Sequence, residues 1–188
     1  MKANMNSLKE KNHMGHDLSE THPAKYLMGN HELVKELFKE YGILADRNVT
    51  EGKMLVANQI CAELTVHTEA EEALIYPLAE TVINNETVLK EAKVMHLSAG
   101  DLIAQIQSMD PEDPLLDAKV FVLGKYIEYC FTQEERRVLP TILETSAVVE
   151  LGIELKAREA ALLNSLSDAD GSTGPKKLKA ATAKMIKH

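Results

Sequence analysis

Residues 67–77 read His67-Thr68-Glu69-Ala70-Glu71-Glu72-Ala73-Leu74-Ile75-Tyr76-Pro77. His67 and Glu71 stand four apart, so on a helix they share one face with Cβ atoms about 6 Å apart. An imidazole and a carboxylate at that spacing reach the same metal ion or two adjacent ones. The stretch lies inside a longer helical pattern, from about Lys53 to Val82, whose Ile60, Leu64, His67, Leu74 and Leu78 fall on one broad face. Pro77 is expected to kink this helix, because it removes a backbone donor and crowds the preceding turn.

Working outward, four more helical stretches follow the same logic. Thr21-His22-Pro23 reads as a helix start, with Thr21 as N-cap and proline in the first turn. Leu27, Val34, Leu37 and Phe38 then recur at helical spacing as far as Tyr41-Gly42, and 43–52 reads as a connection. Asn84-Asn85 punctuates, and a third helix is expected from about Glu86 to Met109. Asp110-Pro111-Glu112-Asp113-Pro114 is a turn. A fourth helix is expected from about Leu115 to Glu144, with Pro140 repeating the role of Pro77, and a fifth from about Ala147 to Leu166. Long segments on short loops predict an all-α fold: an antiparallel up-down four-helix bundle with an additional C-terminal helix. The chain divides into a flexible arm (1–20), the bundle (21–167) and a basic tail (168–188).

Composition excludes the main rivals. The 188 residues are 45% hydrophobic but only 4% aromatic, with no Trp, which speaks against a β-sandwich or barrel and against wholesale disorder. The formal charge is −8, unevenly placed: Gly171 to His188 carry five lysines and no acid. The remainder therefore holds 16 basic and 29 acidic side chains, a net of −13 that repels phosphate backbones and excludes nucleic acid as a main partner. No apolar run is long enough for a membrane span, and Met1 to Asn12 lacks the apolar core of a signal peptide. Cys61 and Cys130 form no CxxC pattern and no disulfide framework. The expected compartment is cytoplasmic.

A pattern of chemistry-bearing residues recurs across the helices. His31 lies among Leu27, Val34 and Phe38, and His96 lies on the side of Ala99 and Ile103, so both histidines sit on core-facing stripes. The fourth helix repeats part of the second at an offset of 63: Cys130-x-x-x-Glu134-Glu135-x-x-x-Leu139-Pro140 echoes His67-x-x-x-Glu71-Glu72-x-x-x-Tyr76-Pro77. Counted from the connecting loops at about 1.5 Å per residue, His31, His67, Glu71, His96, Cys130 and Glu134 fall at one level of an antiparallel bundle. Imidazole and carboxylate together suit iron.

Asn30-His31, the stretch 67–77, His96 and Glu134-Glu135-x-x-x-Leu139-Pro140 together resemble the hemerythrin-like (HHE) cation-binding domain over about residues 21–165. The resemblance implies a four-helix bundle holding a non-haem di-iron centre of two iron ions. It implies that Glu71 and Glu134 bridge the irons and that histidines complete each one. Cys130 departs from the family, which usually offers histidine there. Three readings stand open: a thiolate ligand, a buried apolar side chain that leaves one iron open, or Tyr126 taking the place one turn earlier.

The resemblance implies two classes of function. One binds or senses oxygen, nitric oxide or iron itself; the other is a di-iron oxidoreductase acting on peroxide or nitric oxide. A metal-free bundle whose site has decayed at Cys130 is the third reading. The partner expected at the metal is a small diatomic or peroxide ligand. Glu72 and Glu135 read as outer acceptors or solvated charges. Cys61 and the methionines read as packing, and His13, His16 and His22 as disordered or capping.

Overall fold

The computed structural model describes residues 22–83, 86–142 and 148–170. They form α1 (Pro23–Asp46), α2 (Thr50–Ala70), a π-helical turn (Glu71–Ile75), α3 (Tyr76–Val82), α4 (Glu86–Gln107), α5 (Leu116–Arg137), α6 (Leu139–Ile142) and α7 (Val148–Asp170), with no strand among the described residues. The run from α2 through the π turn to α3 is unbroken and acts as one long helix. With α1, α4 and α5 it makes an antiparallel four-helix bundle, and α7 packs on α1 and α2. The expected fold class is therefore the observed one. The arm 1–20, the segment 171–188, Asn84 and Asn85 lie outside the described residues. No helix among those described is long and apolar enough to cross a membrane.

Local boundaries differ from the sequence reading in three places, each for a physical reason. Pro23 takes the first helical position, where its missing N–H costs nothing, so the residue before it must cap the helix. That residue is His22, not Thr21: the His22 Nδ1 accepts from the Ala24 amide at 3.2 Å. Next, α1 runs past Gly42 to Asp46, because Leu37, Tyr41 and Leu44 continue its buried stripe. The connection shrinks to 47–49 and turns at Asn48, whose φ of 54° is left-handed, a conformation asparagine tolerates. Finally, α5 ends at Arg137 instead of running to Glu144. The Pro140 ring collides with the carbonyl four residues back and offers it no hydrogen bond, so the helix opens at Val138 and resumes only as α6.

The expected kink at Pro77 takes the form of the π turn. The Tyr76 amide bonds to the Glu71 carbonyl, five residues back, which inserts one extra residue just ahead of the proline. In an α-helix five residues rotate through about 500°, leaving Tyr76 about 140° from Glu71. The wider turn brings them onto the same side.

The interior has two apolar clusters. One gathers Val34, Leu37, Leu44, Val56, Ile60, Leu64, Ala99, Ile106, Leu123 and Phe131. The other gathers Leu27, Ala70, Ile75, Ala92, Val138 and Leu139, closed by Leu155 of α7. Each helix passes from one cluster to the other across the same polar level, the α2–π-turn helix with two residues there, His67 and Glu71. Leu27 and Val34 bracket His31, Leu64 and Ala70 bracket His67, Ala92 and Ala99 bracket His96, and Phe131 and Val138 bracket Glu134. The polar residues thus form one layer sealed on both sides by carbon.

Candidate metal centre

Helix periodicity and the π turn put five of the six expected ligands around one point. His31, His67, Glu71 and Glu134 each offer a donor atom, and these four atoms lie within 4.8 Å of one another. The Glu134 Oε2 is 3.3 Å from the His31 Nε2 and 3.9 Å from the His67 Nε2, while its other oxygen is 3.5 Å from the His96 Nε2. The Glu71 Oε2 stands 3.4 Å from the His67 Nε2 and 3.5 Å from the His96 Nε2. All five side chains are buried, His31 completely.

These contacts are close but poorly directed. The His31 Nε2, His67 Nε2, Glu71 Oε2 and Glu134 Oε2 are buried with no hydrogen-bond partner. Orphaned buried polar atoms cost about 1–3 kcal/mol each. Lone pairs that converge on a shared point, instead of on each other, suit a cation placed at that point. The donor set, imidazole nitrogen and carboxylate oxygen, fits a transition metal such as iron.

The outer nitrogens are held separately. The His31 Nδ1 meets the Glu135 Oε1 at 3.0 Å, and the His96 Nδ1 meets the Glu72 Oε1 at 3.1 Å. Glu72 and Glu135 are therefore acceptors for the two histidines, which orients each ring with Nε2 inward. Lys35 approaches Glu135 at 3.6 Å. Phe131 stacks on His31 with centroids 3.8 Å apart and meets His67 edge-on, walling one side of the layer.

Protonation follows the same geometry. Burial alone would lower the His31 pKa, but Glu134 and Glu135 outweigh it and hold the ring up at about 9. His96 is likewise pushed up to about 10 against its burial, by Glu134 and Glu71. Burial would raise Glu134, yet the close imidazoles of His31, His67 and His96 hold it well below the usual carboxylate range. Imidazoles shifted up and a carboxylate shifted down favour one another's charges, a balance in which a bound cation would take the place of protons.

Cys130 is buried one turn before Glu134, as His67 is one turn before Glu71, but it stands outside the four-residue cluster. Burial, and then Glu134, push its thiol up to about 12. Tyr126 packs against the apolar cluster of Leu123 and Ile127. The phenol that reaches the polar layer is Tyr76: its hydroxyl lies 3.0 Å from the His96 Nε2 and its ring stacks on His96. Sequence reasoning missed that role, because the helical wheel for an α-helix turns Tyr76 away and the π turn brings it back. It also missed Glu159 on α7, a buried carboxylate that accepts from the Asn30 Nδ2 at 2.6 Å. Cys61 is core packing, as expected.

The family model for the hemerythrin HHE cation binding domain matches residues 22–142. No curated protein and no solved structure matches the chain.

Proposed function

The chain belongs to the hemerythrin HHE cation-binding domain family, and on that premise we propose that its buried polar layer holds a pair of iron ions bridged by Glu71 and Glu134. The observation that carries this reading is the division of Glu134 between two sets of nitrogens. One of its oxygens faces His31 and His67, and the other faces His96. A carboxylate so placed could serve two ions, one held by His31 and His67 and the other by His96.

The iron pair would supply reversible redox chemistry and an open position for oxygen, nitric oxide or peroxide. The protein's own residues supply the rest. Glu72 and Glu135 lock the His96 and His31 rings with Nε2 inward. The two apolar clusters exclude water from above and below. Tyr76 brings a hydroxyl hydrogen to the His96 side of the layer, where it can donate to a small bound ligand. So enclosed, the site would bind or sense oxygen, nitric oxide or iron; turnover of peroxide or nitric oxide is the rival reading that the same small site admits.

Iron content per chain and the absorption spectrum of aerobically purified protein test the reading. Two irons are expected, and Glu71→Ala or Glu134→Ala should lose both, because each carboxylate serves both ions and compensates their charge. Full loading in either variant would overturn the bridging assignment. If the Cys130 sulfur binds, a sulfur-to-iron charge-transfer band should be present and Cys130→Ser should abolish it. An unchanged spectrum would remove Cys130 from the ligand set and leave the bridged pair intact.

A further inference from the structure

The three inner histidines are not held alike. His31 and His96 each have a carboxylate on Nδ1, whereas the His67 Nδ1 is buried with no hydrogen-bond partner. An imidazole whose outer nitrogen is unheld is free to rotate and to switch tautomer, which weakens it as a ligand. The same helix pair that positions His67 also borders an acceptor of matching character. Glu159 of α7 is 4% exposed, and its Oε1 is buried without a partner. The carboxylate is anchored from α1 by the Asn30 Nδ2 at 2.6 Å, on the residue adjacent to His31, and by the Tyr26 hydroxyl. Burial raises the Glu159 carboxyl above its usual range, while Tyr26, the nearby His67 and Asn30 favour its charged form. Set aside the four inward-facing atoms of the polar layer. The orphaned buried side-chain atoms then remaining among the described residues are the His67 Nδ1, the Glu159 Oε1 and the Gln59 Nε2. Gln59 stands eight residues before His67 on α2, about 12 Å along the axis, and so belongs to a different level. That leaves one donor and one acceptor, both buried and both at the height of the metal layer.

We propose that Glu159 is the positioning residue of His67, accepting the Nδ1 hydrogen through a bridging water, so that α7 is a working part of the metal site. The assignment rests on the metal-centre reading above but concerns a residue outside 22–142, the region the family model covers. Each histidine of the layer then has its own carboxylate: Glu135 for His31, Glu72 for His96 and Glu159 for His67. The first two come from the residue following each bridging glutamate. The third comes from a helix that would otherwise only cover α1 and α2.

Zinc is the probe that separates positioning from mere packing, because it is diamagnetic and lets the imidazole nitrogens be followed by NMR. In zinc-loaded full-length protein, Glu159→Gln should lower zinc affinity about 10- to 100-fold, in the range typical for loss of an outer partner. It should also shift the His67 Nδ1–H resonance and speed its exchange with solvent, leaving those of His31 and His96 in place. Glu159→Asp, which keeps the charge on a shorter arm, should recover part of the affinity. Metal-free Glu159→Gln should keep the wild-type helical circular dichroism and unfold cooperatively, so that its lost zinc affinity reads as lost positioning and not as misfolding. Wild-type zinc affinity in Glu159→Gln with an unmoved His67 resonance would overturn the inference while the metal-centre reading stands. Failure of the wild-type protein to take up zinc or iron would overturn that reading and the inference with it.

Discussion

The two levels of the bundle interior solve the same problem by opposite means. Around Leu37, Ile60, Ile106 and Leu123 the four helices are joined by close-packed carbon. At its edge the protein pairs its own polar groups: the Tyr41 hydroxyl donates to the Asp117 Oδ1 at 2.7 Å, and the Lys53 Nζ meets the same carboxylate at 2.9 Å. One level away, the same four helices point three imidazoles and two carboxylates at one another and leave four inner atoms without partners. The first level is closed almost entirely by packing, with the Gln59 Nε2 its one orphaned side-chain atom among the described residues. The second presents converging donors that a cation could use, so packing and the candidate site separate along the bundle axis.

The largest effect expected from breaking this contrast is in the apolar level. Leu123 is fully buried, so Leu123→Ala should cost about 2–5 kcal/mol through lost burial and the cavity left behind. The cost should be the same in metal-free and metal-loaded protein, because Leu123 touches nothing that the ion binds. Denaturant titration of both forms checks this. A cost that differs by more than about 1 kcal/mol between them would mean that the two levels are coupled.

Removing the ion probes the other level. At free metal 100-fold above its dissociation constant, binding adds about 2.7 kcal/mol to the native state. In a domain of this size that is about 5–10 °C in melting temperature. Chelation should abolish the gain, whereas Glu134→Ala should show little difference with and without metal. Superimposable melting curves for loaded and chelated wild-type protein would show that the polar layer closes without an ion.

The same division explains what the sequence made legible. The apolar level writes itself as spacing: Leu37, Tyr41 and Leu44, or Val120, Leu123 and Ile127, announce their helices because carbon burial needs only periodicity. The inward-facing histidines were legible as exceptions to that periodicity, polar residues on apolar stripes. Glu159 obeys the same rule, four residues after the buried Leu155, and was legible by the same signal had the fifth helix been read as closely as the others. What spacing could not give were departures from ideal helix geometry. The π turn that returns Tyr76 to the Glu71 side changes residues per turn, and no periodic template contains it. The break at Val138 is not legible in spacing either, because two prolines in echoing positions look alike in sequence. Pro77 is absorbed by an inserted residue, while Pro140 stops α5 outright. The phenyl wall of Phe131 against His31 depends on side-chain direction between helices, which no single helix records.

The smallest expected effect lies in the contact that seals the apolar level by protein alone. Tyr41 is buried and donates its hydroxyl hydrogen to Asp117, while Lys53 reaches the same carboxylate from α2. Partial burial would raise the Asp117 pKa, but Tyr41 and Lys53 outweigh it and hold the carboxyl below its usual range. A carboxylate depressed in the folded state contributes stability that is present above its unfolded pKa of about 3.9 and is lost as pH falls through its folded value. Tyr41→Phe removes the donor while keeping the ring, and should cost about 0.5–1.5 kcal/mol at neutral pH. The difference from wild type should begin to shrink as pH falls below about 4, where Asp117 of the unfolded chain takes up its proton, and be smallest below the lower folded value, where the native carboxylate is protonated too. It should be the same with and without metal, since the contact sits in the level that needs no ion. A Tyr41→Phe cost that stays constant from neutral pH to the acid transition would show that the ring's fit, not its hydroxyl, closes this end of the bundle.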